Sequence, residues 1–292
     1  TAIQKTYPNA EISVVVEPAS KSAYRVSKAV SQVIPFDYQG QNSPADWANL
    51  LGIIRDREFE VALCASNRWE VGVSLWLSGI PNRIGYSSVQ AAWLYTKTVP
   101  TDKEPSLTGY SELLKGLATP LQSAPMALNV PKGDITWADE QRQILGISSS
   151  GYVLMYPGLD AQADGYPLSS WLSIIDDFQS KQPQLPVLLL ETVESQELAD
   201  ALSRQRSVKT VTTENLGQIA AILAGANLII SPYGYVSQLA VALLVFTLVL
   251  QPKLSQPIPA SDGETRVVGV QSPTAKLADL TPEAVLQKVW GS

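Results

Sequence analysis

The sequence predicts an α/β protein of two doubly wound domains, on three observations. Short apolar runs recur at intervals that leave room for a helix, which is the rhythm of a parallel sheet. The rhythm breaks in a stretch rich in proline and small residues, Ala118 to Pro131, and restarts after it. The length, 292 residues, exceeds one ordinary open α/β core and suits two.

In the first half the expected strands are Ile12 to Val16, Gln32 to Phe36, Val61 to Ala65 and Arg83 to Tyr86. Between the second and third, Pro44 to Phe59 shows the helical period. Ser43 can cap it, Pro44 takes the first helical position, and Trp47, Leu50, Leu51 and Ile54 share one face. The domain boundary is expected near Pro131, giving domains 1–131 and 132–292.

The second half opens with a helix from Asp134 to Leu145 and a strand from Tyr152 to Tyr156. A helix follows Pro167, with Trp171, Ile174, Ile175 and Phe178 on one face. Further strands are expected at Val187 to Glu191, Ser207 to Thr212, Ala226 to Ser231, Phe246 to Gln251 and Arg266 to Val270. Residues 252–264 read as a loop. The Thr281-Pro282 pair starts a last helix that reaches Trp290.

Composition narrows the chemistry. A formal charge of -6 argues against broad nucleic-acid binding, which needs a dense array of Lys and Arg to release phosphate counterions. There is no histidine, so Ser-His-Asp and Cys-His mechanisms are excluded and the commonest transition-metal ligand is lacking. One cysteine, Cys64, rules out an internal disulfide and reads as an inert small hydrophobe on a buried strand. Leu239 to Leu250 is the longest apolar run, too short to span a bilayer, and is read as core. No charged leader precedes an apolar stretch at Thr1, so no signal peptide is expected. A reducing cytosol fits these features.

Five phrases carry a resemblance: "TAIQKTYPNAEISVVVEP" (Thr1 to Pro18), "IIRDREFEVAL" (Ile53 to Leu63), "WLSGIPNRIGY" (Trp76 to Tyr86), "VLMYPGLDA" (Val153 to Ala161) and "GANLIISPYGYVSQLAVAL" (Gly225 to Leu243). In order and spacing they resemble the bacterial heptosyltransferases, glycosyltransferase family 9, over nearly the whole chain. The resemblance implies a GT-B-like architecture, two Rossmann-like doubly wound domains facing across a cleft, with residues 1–131 of acceptor type and 132–292 of nucleotide-sugar type. It implies transfer of a sugar, commonly from ADP-heptose, to a lipopolysaccharide-type or other glycan acceptor, with no metal or other cofactor.

Departures from the family pattern weigh against that activity. The family's Gly-rich loop with its catalytic aspartate precedes the phrase that here begins at Thr1. A family phrase of the type Thr-Asn-Asp-Ser-Gly-Pro-Met-His aligns without a gap on Ser231 to Gln238, which turns the acid into Tyr233 and the histidine into Gln238. Where the family has a Gly-Ser/Thr loop and a lysine, this chain has "PGLDAQADGYPLSSW" (Pro157 to Trp171), with Asp160 and Asp164 where a phosphate would want cations.

By resemblance the nucleotide-pocket positions are Gly158, Leu159, Asp160, Glu191, Tyr233, Gly234, Tyr235 and Gln238, and no catalytic residue is assigned. At least one of the Tyr233 and Tyr235 rings is expected to fill the former pocket. Gly158, Gly225 and Gly234 read as phosphate-cradling glycines or as plain turn residues. Arg83 reads as a structural charge, Asp176 and Asp177 as the wet face of a helix, and Trp69, Trp76 and Trp93 as core aromatics rather than the lining of an acceptor groove.

Two functions stay open. One is a family member that has lost nucleotide-sugar transfer and serves as a binding or structural subunit for a protein partner, in the cytoplasm or peripherally at the cytoplasmic face of a membrane. The other is an active transferase with an ADP-sugar donor and a glycan acceptor.

Overall fold

The computed structural model describes residues 2–38, 40, 42–87, 92–100, 112–117, 128–147, 151–158, 165–253 and 266–291. Most of the Ala118 to Pro131 connection, the 159–164 loop with Leu159, Asp160 and Asp164, and most of the 252–264 loop lie outside them. Contacts divide the chain into two compact units: Thr1–Lys21 with Ala29–Ala124, and Ser22–Lys28 with Pro125–Ser292.

In the first unit, helix α1 (Ala2–Thr6) leads into β1 (Ser13–Val16), which pairs in parallel with β2 (Gln32–Pro35). Helix α2 (Pro44–Arg55) starts at a reciprocal cap: the Ser43 hydroxyl accepts from the Asp46 backbone, and the Asp46 carboxylate accepts from the Ser43 N–H at 2.8 Å. The helix stops at Arg55, short of the expected Phe59, and Glu58 then turns into the left-handed region at φ 51°. A second parallel ladder joins β3 (Val61–Leu63), β4 (Asn82–Tyr86) and β5 (Lys97–Val99), with helix α3 (Trp69–Leu77) between β3 and β4. Val15 of β1 and Ala62 of β3 pack on one apolar cluster centred on Ile34, Leu50, Ile54 and Ile80. Hydrophobic burial, not a shared hydrogen-bond ladder, ties the two ladders together.

The second unit has one six-stranded sheet. Its strands are β6 (Val153–Met155), β7 (Val187–Glu191), β8 (Lys209–Thr212), β9 (Leu228–Pro232), β10 (Thr247–Gln251) and β11 (Val267–Gln271), in the order β11-β10-β9-β6-β7-β8. All pairings are parallel. The chain therefore winds outward from β6 to β8, returns to the other side of β6, and winds outward again, the order of a dinucleotide-binding sheet.

Helices cover both faces, which is why the inner strands are nearly continuous apolar runs. Leu154, Leu188, Leu190 and Ile229 pack against α4 (Lys132–Ile144), α7 (Leu216–Ala224) and α8 (Tyr235–Ala242). Val153, Met155, Leu189, Ile230 and Leu248 pack against α5 (Leu168–Lys181), α6 (Gln196–Gln205) and α9 (Pro282–Trp290).

Several expectations about single residues are settled here. Arg83 is structural: its Nε donates to the Leu94 carbonyl at 3.0 Å and its guanidinium also reaches the Ile80 carbonyl. Asp176 holds Arg206 (2.7 Å), and Asp177 accepts the Trp290 indole N–H (2.7 Å) and pairs with Lys181. Cys64 is buried, and that burial pushes its thiol up from the usual range. The core reading of Trp69, Trp76 and Trp93 is overturned, since all three are exposed. Where α3 meets the turn at Ala92–Leu94 it presents Gly72, and a Cβ there would lie 3.1 Å from Leu94, so the small residue takes the contact and the indoles stay outside.

Candidate functional site at the carboxyl edge of the six-stranded sheet

The order of winding reverses between β6 and β9, and loops at the carboxyl ends of such a pair diverge to leave a crevice for ligands. The sequence-expected positions Gly158, Glu191, Tyr233, Gly234, Tyr235 and Gln238 all lie at or just after the carboxyl ends of β6, β7 and β9, three neighbouring strands. Leu159 and Asp160 lie outside the described residues. Gly225 does not belong: it ends α7 ahead of β9, at the amino edge of the sheet, where a Cβ would lie 2.9 Å from Tyr152 Oη. Its role is to end a helix, not to cradle phosphate.

Gly158 has φ +77°, and a Cβ there would press on Pro232 at 3.1 Å. A glycine is needed for both reasons, with no ligand required. Across the switch point, the Tyr233 N–H donates to the Leu250 carbonyl at 2.9 Å, which anchors the turn to β10. The Gly234 N–H donates to Ser237 Oγ at 3.0 Å, and that hydroxyl donates back to the Gly234 carbonyl at 2.9 Å. Ser237, at the third position of α8, thus satisfies the N–H of the Gly234 N-cap, the reciprocal half of a capping box. Ser237→Ala should lower stability by about 1 kcal/mol in thermal denaturation, the usual net contribution of one hydrogen bond.

The two tyrosines take different places. Tyr233 is half-buried, and its hydroxyl accepts from Gln238 Nε2 at 3.3 Å. The two side chains of this turn therefore pair with each other. Tyr235 is 40% exposed and meets the buried Tyr156 ring edge-on, centroids 6.1 Å apart.

Tyr156, Thr192 and Ser195 complete the site and were not singled out from the sequence. Tyr156 Oη lies 3.5 Å from Thr192 Oγ1, and Ser195 Oγ accepts from the Thr192 N–H at 3.0 Å. Burial pushes the Tyr156 phenol up from its usual range, so it stays neutral and bonds as a hydroxyl. The available signal was position, a polar group immediately after an apolar strand. Glu191 is half-buried at the end of β7, its carbonyl taking the Thr213 N–H at 3.0 Å.

Residues 156–158, 191–195 and 232–238 contain no Lys or Arg, while they include Glu191 and Glu194. The assembled groups are neutral hydroxyls, an amide, aromatic rings and carboxylates. They can donate and accept hydrogen bonds, but they supply no positive charge. Among the described residues no cluster of metal-ligating side chains occurs.

Residues 47–247 match the model of glycosyltransferase family 9 (heptosyltransferase). No curated protein matches the chain by sequence. Among solved structures, the chain is similar to a glycosyl transferase family 9 protein from Veillonella parvula, at 14% identity and TM-score 0.83, covering 98% of this chain and 89% of that one. It is similar to E. coli ADP-heptose lps heptosyltransferase II at 17% identity and TM-score 0.76, covering 99% and 91%. It is also similar to E. coli heptosyltransferase WaaC with ADP, at 16% identity and TM-score 0.75, covering 99% and 92%. At these identities the likeness shows the fold, GT-B-like with Rossmann-like architecture. The family match spans well over half of the sequence, and on it the chain belongs to glycosyltransferase family 9.

Proposed function

We propose that this family member does not transfer nucleotide sugars and serves as a binding subunit for a protein partner. In this reading residues 1–131 are the acceptor-type domain and 132–292 the nucleotide-sugar-type domain, both kept as scaffold. The observation that carries it is the turn after β9. Its polar groups bond to one another, Gln238 to Tyr233 and Ser237 to Gly234, and the turns after β6 and β7 bring no Lys or Arg.

Departure of a nucleoside diphosphate builds negative charge that a transferase must stabilise with fixed donors or cations. Glutamine can donate a hydrogen bond but brings no charge. Each charge-assisted hydrogen bond contributes roughly 1.5 to 3 kcal/mol, so the loss of two weakens diphosphate binding by about a hundredfold or more. The carboxylates of Glu191 and Glu194 oppose a dianion further. The reading places the protein in the cytoplasm or at the cytoplasmic face of a membrane.

The test is a turnover assay. Purified protein incubated with ADP-heptose and with other ADP-sugars, in the presence of lipopolysaccharide-type acceptors, should release no ADP above the rate without protein. Steady ADP release that depends on the acceptor would make the chain an active transferase with an ADP-sugar donor and a glycan acceptor.

A further inference from the structure

Three of the seven tryptophans stand on the surface of the first unit: Trp69 is 57% exposed, Trp76 51% and Trp93 75%. Large aromatic side chains normally carry the burial of a core, so three left open on adjoining elements need a reason. Trp69 and Trp76 are seven residues apart on α3, two turns of a helix, and therefore lie on one stripe about 10 Å apart along the axis. The Ala92–Leu94 turn that carries Trp93 packs on the same helix at Gly72, where a Cβ would meet Leu94 at 3.1 Å and Tyr95 Oη at 3.3 Å. Leu77, also at the end of α3, adds a fourth open apolar side chain at 49%.

We propose that this face, Trp69, Trp76, Leu77 and Trp93, seats the protein on a zwitterionic lipid surface. Area, charge and chemistry point the same way. With about 250 Å² for a whole tryptophan side chain, the three indoles leave roughly 450 Å² open. A stable protein interface buries about 800 Å² per partner, so the patch is small for a dimer and ample for shallow insertion. Indoles favour the headgroup level of a bilayer, where the ring meets acyl chains and the N–H finds a polar acceptor. None of these three N–H groups is bonded to another described residue. The first unit has no excess of Lys and Arg over Asp and Glu to draw it to an anionic surface, which leaves a neutral one. Among the described residues no helix is long and apolar enough to cross a membrane, and a face rather than a span would make the contact.

The inference stands apart from the transfer reading, because the face lies on the first unit and requires no nucleotide. Its test is flotation of the full chain with phosphatidylcholine vesicles. The protein should rise with the vesicles, its tryptophan emission should shift to the blue, and the triple variant Trp69→Ser/Trp76→Ser/Trp93→Ser should partition at least about tenfold more weakly. The variant's far-UV circular dichroism should match that of the parent, since the substituted side chains are exposed. Four results would overturn the proposal. The parent chain could stay with the soluble fraction, or the variant could float as well as the parent. Light scattering could instead show a dimer that the triple substitution dissolves, which would assign the face to a second copy. Binding confined to vesicles rich in phosphatidylglycerol would equally overturn it.

Discussion

Trp171→Ala should destabilise the second unit by about 3 to 5 kcal/mol, the usual loss when a fully buried aromatic is cut back. Trp171 is wholly buried under the six-stranded sheet, with Ile174, Ile175 and Phe178 of the same helix beside it. Its ring meets Tyr166 at a right angle, 5.3 Å between centroids. Alanine would leave a cavity that two layers of rigid neighbours cannot close. Among the described residues the indole N–H has no hydrogen-bond partner, so Trp171→Phe keeps most of the packing and removes that donor. The phenylalanine variant should melt within a few degrees of the parent and the alanine variant roughly 10 °C or more below it. Equal melting temperatures for the two variants would show that ring volume is not what Trp171 contributes.

The second large effect is expected at a glycine. Gly151 has φ +86°, and a Cβ there would overlap the Asn227 side chain. Asn227 joins the starts of β6 and β9: its Oδ1 accepts the Tyr152 N–H at 3.0 Å, and its own N–H donates to the Tyr152 carbonyl at 2.9 Å. Gly151→Ala would force a left-handed alanine, about 1 to 2 kcal/mol, and displace the amide that satisfies Tyr152, about 1 to 3 kcal/mol more. Denaturant titration should therefore show a loss of roughly 2 to 5 kcal/mol. Adding Asn227→Gly removes the overlap while leaving the backbone strain, so the double variant should lose less than the sum of the two single losses. Strict additivity would mean the two residues do not interfere.

How far the sequence could be read depended on the kind of information each feature needs. The strands of the second unit were legible to within two residues because most are apolar runs bounded by polar residues, the edge strand β8 excepted. Val187 to Glu191 was placed at its observed limits. Strand β5 was not expected, being three residues long with Lys97 and Thr98 exposed, which leaves no alternation to see. The overrun of α2 past Arg55 has a similar cause, since Phe59 fits the helical period but packs on the Ile34 cluster from beyond the turn at Glu58. Nor does local pattern say which strands share a ladder, so the separate pairings of β1–β2 and β3–β5 emerged only with the fold.

For the site, position was legible and company was not. The turn after β9 could be picked out as a ligand framework without ligand chemistry, because its residue types are local. That Tyr156 would lean on Tyr235, or that Thr192 would stand beside Tyr156, follows from the β9-β6-β7 adjacency, which brings residues far apart in the chain to one edge. The exposed tryptophans were misread for a related reason. Helical spacing tells which side chains share a face, and the neighbouring elements decide whether that face is covered.

Isothermal titration of the protein with ADP tests the central claim most directly, since ADP carries the diphosphate that the turn after β9 would have to hold. The account predicts no saturable heat up to millimolar ADP. Saturable binding with a micromolar Kd, lost on replacing Tyr233 or Gln238, would contradict it and show that this turn still holds a nucleotide.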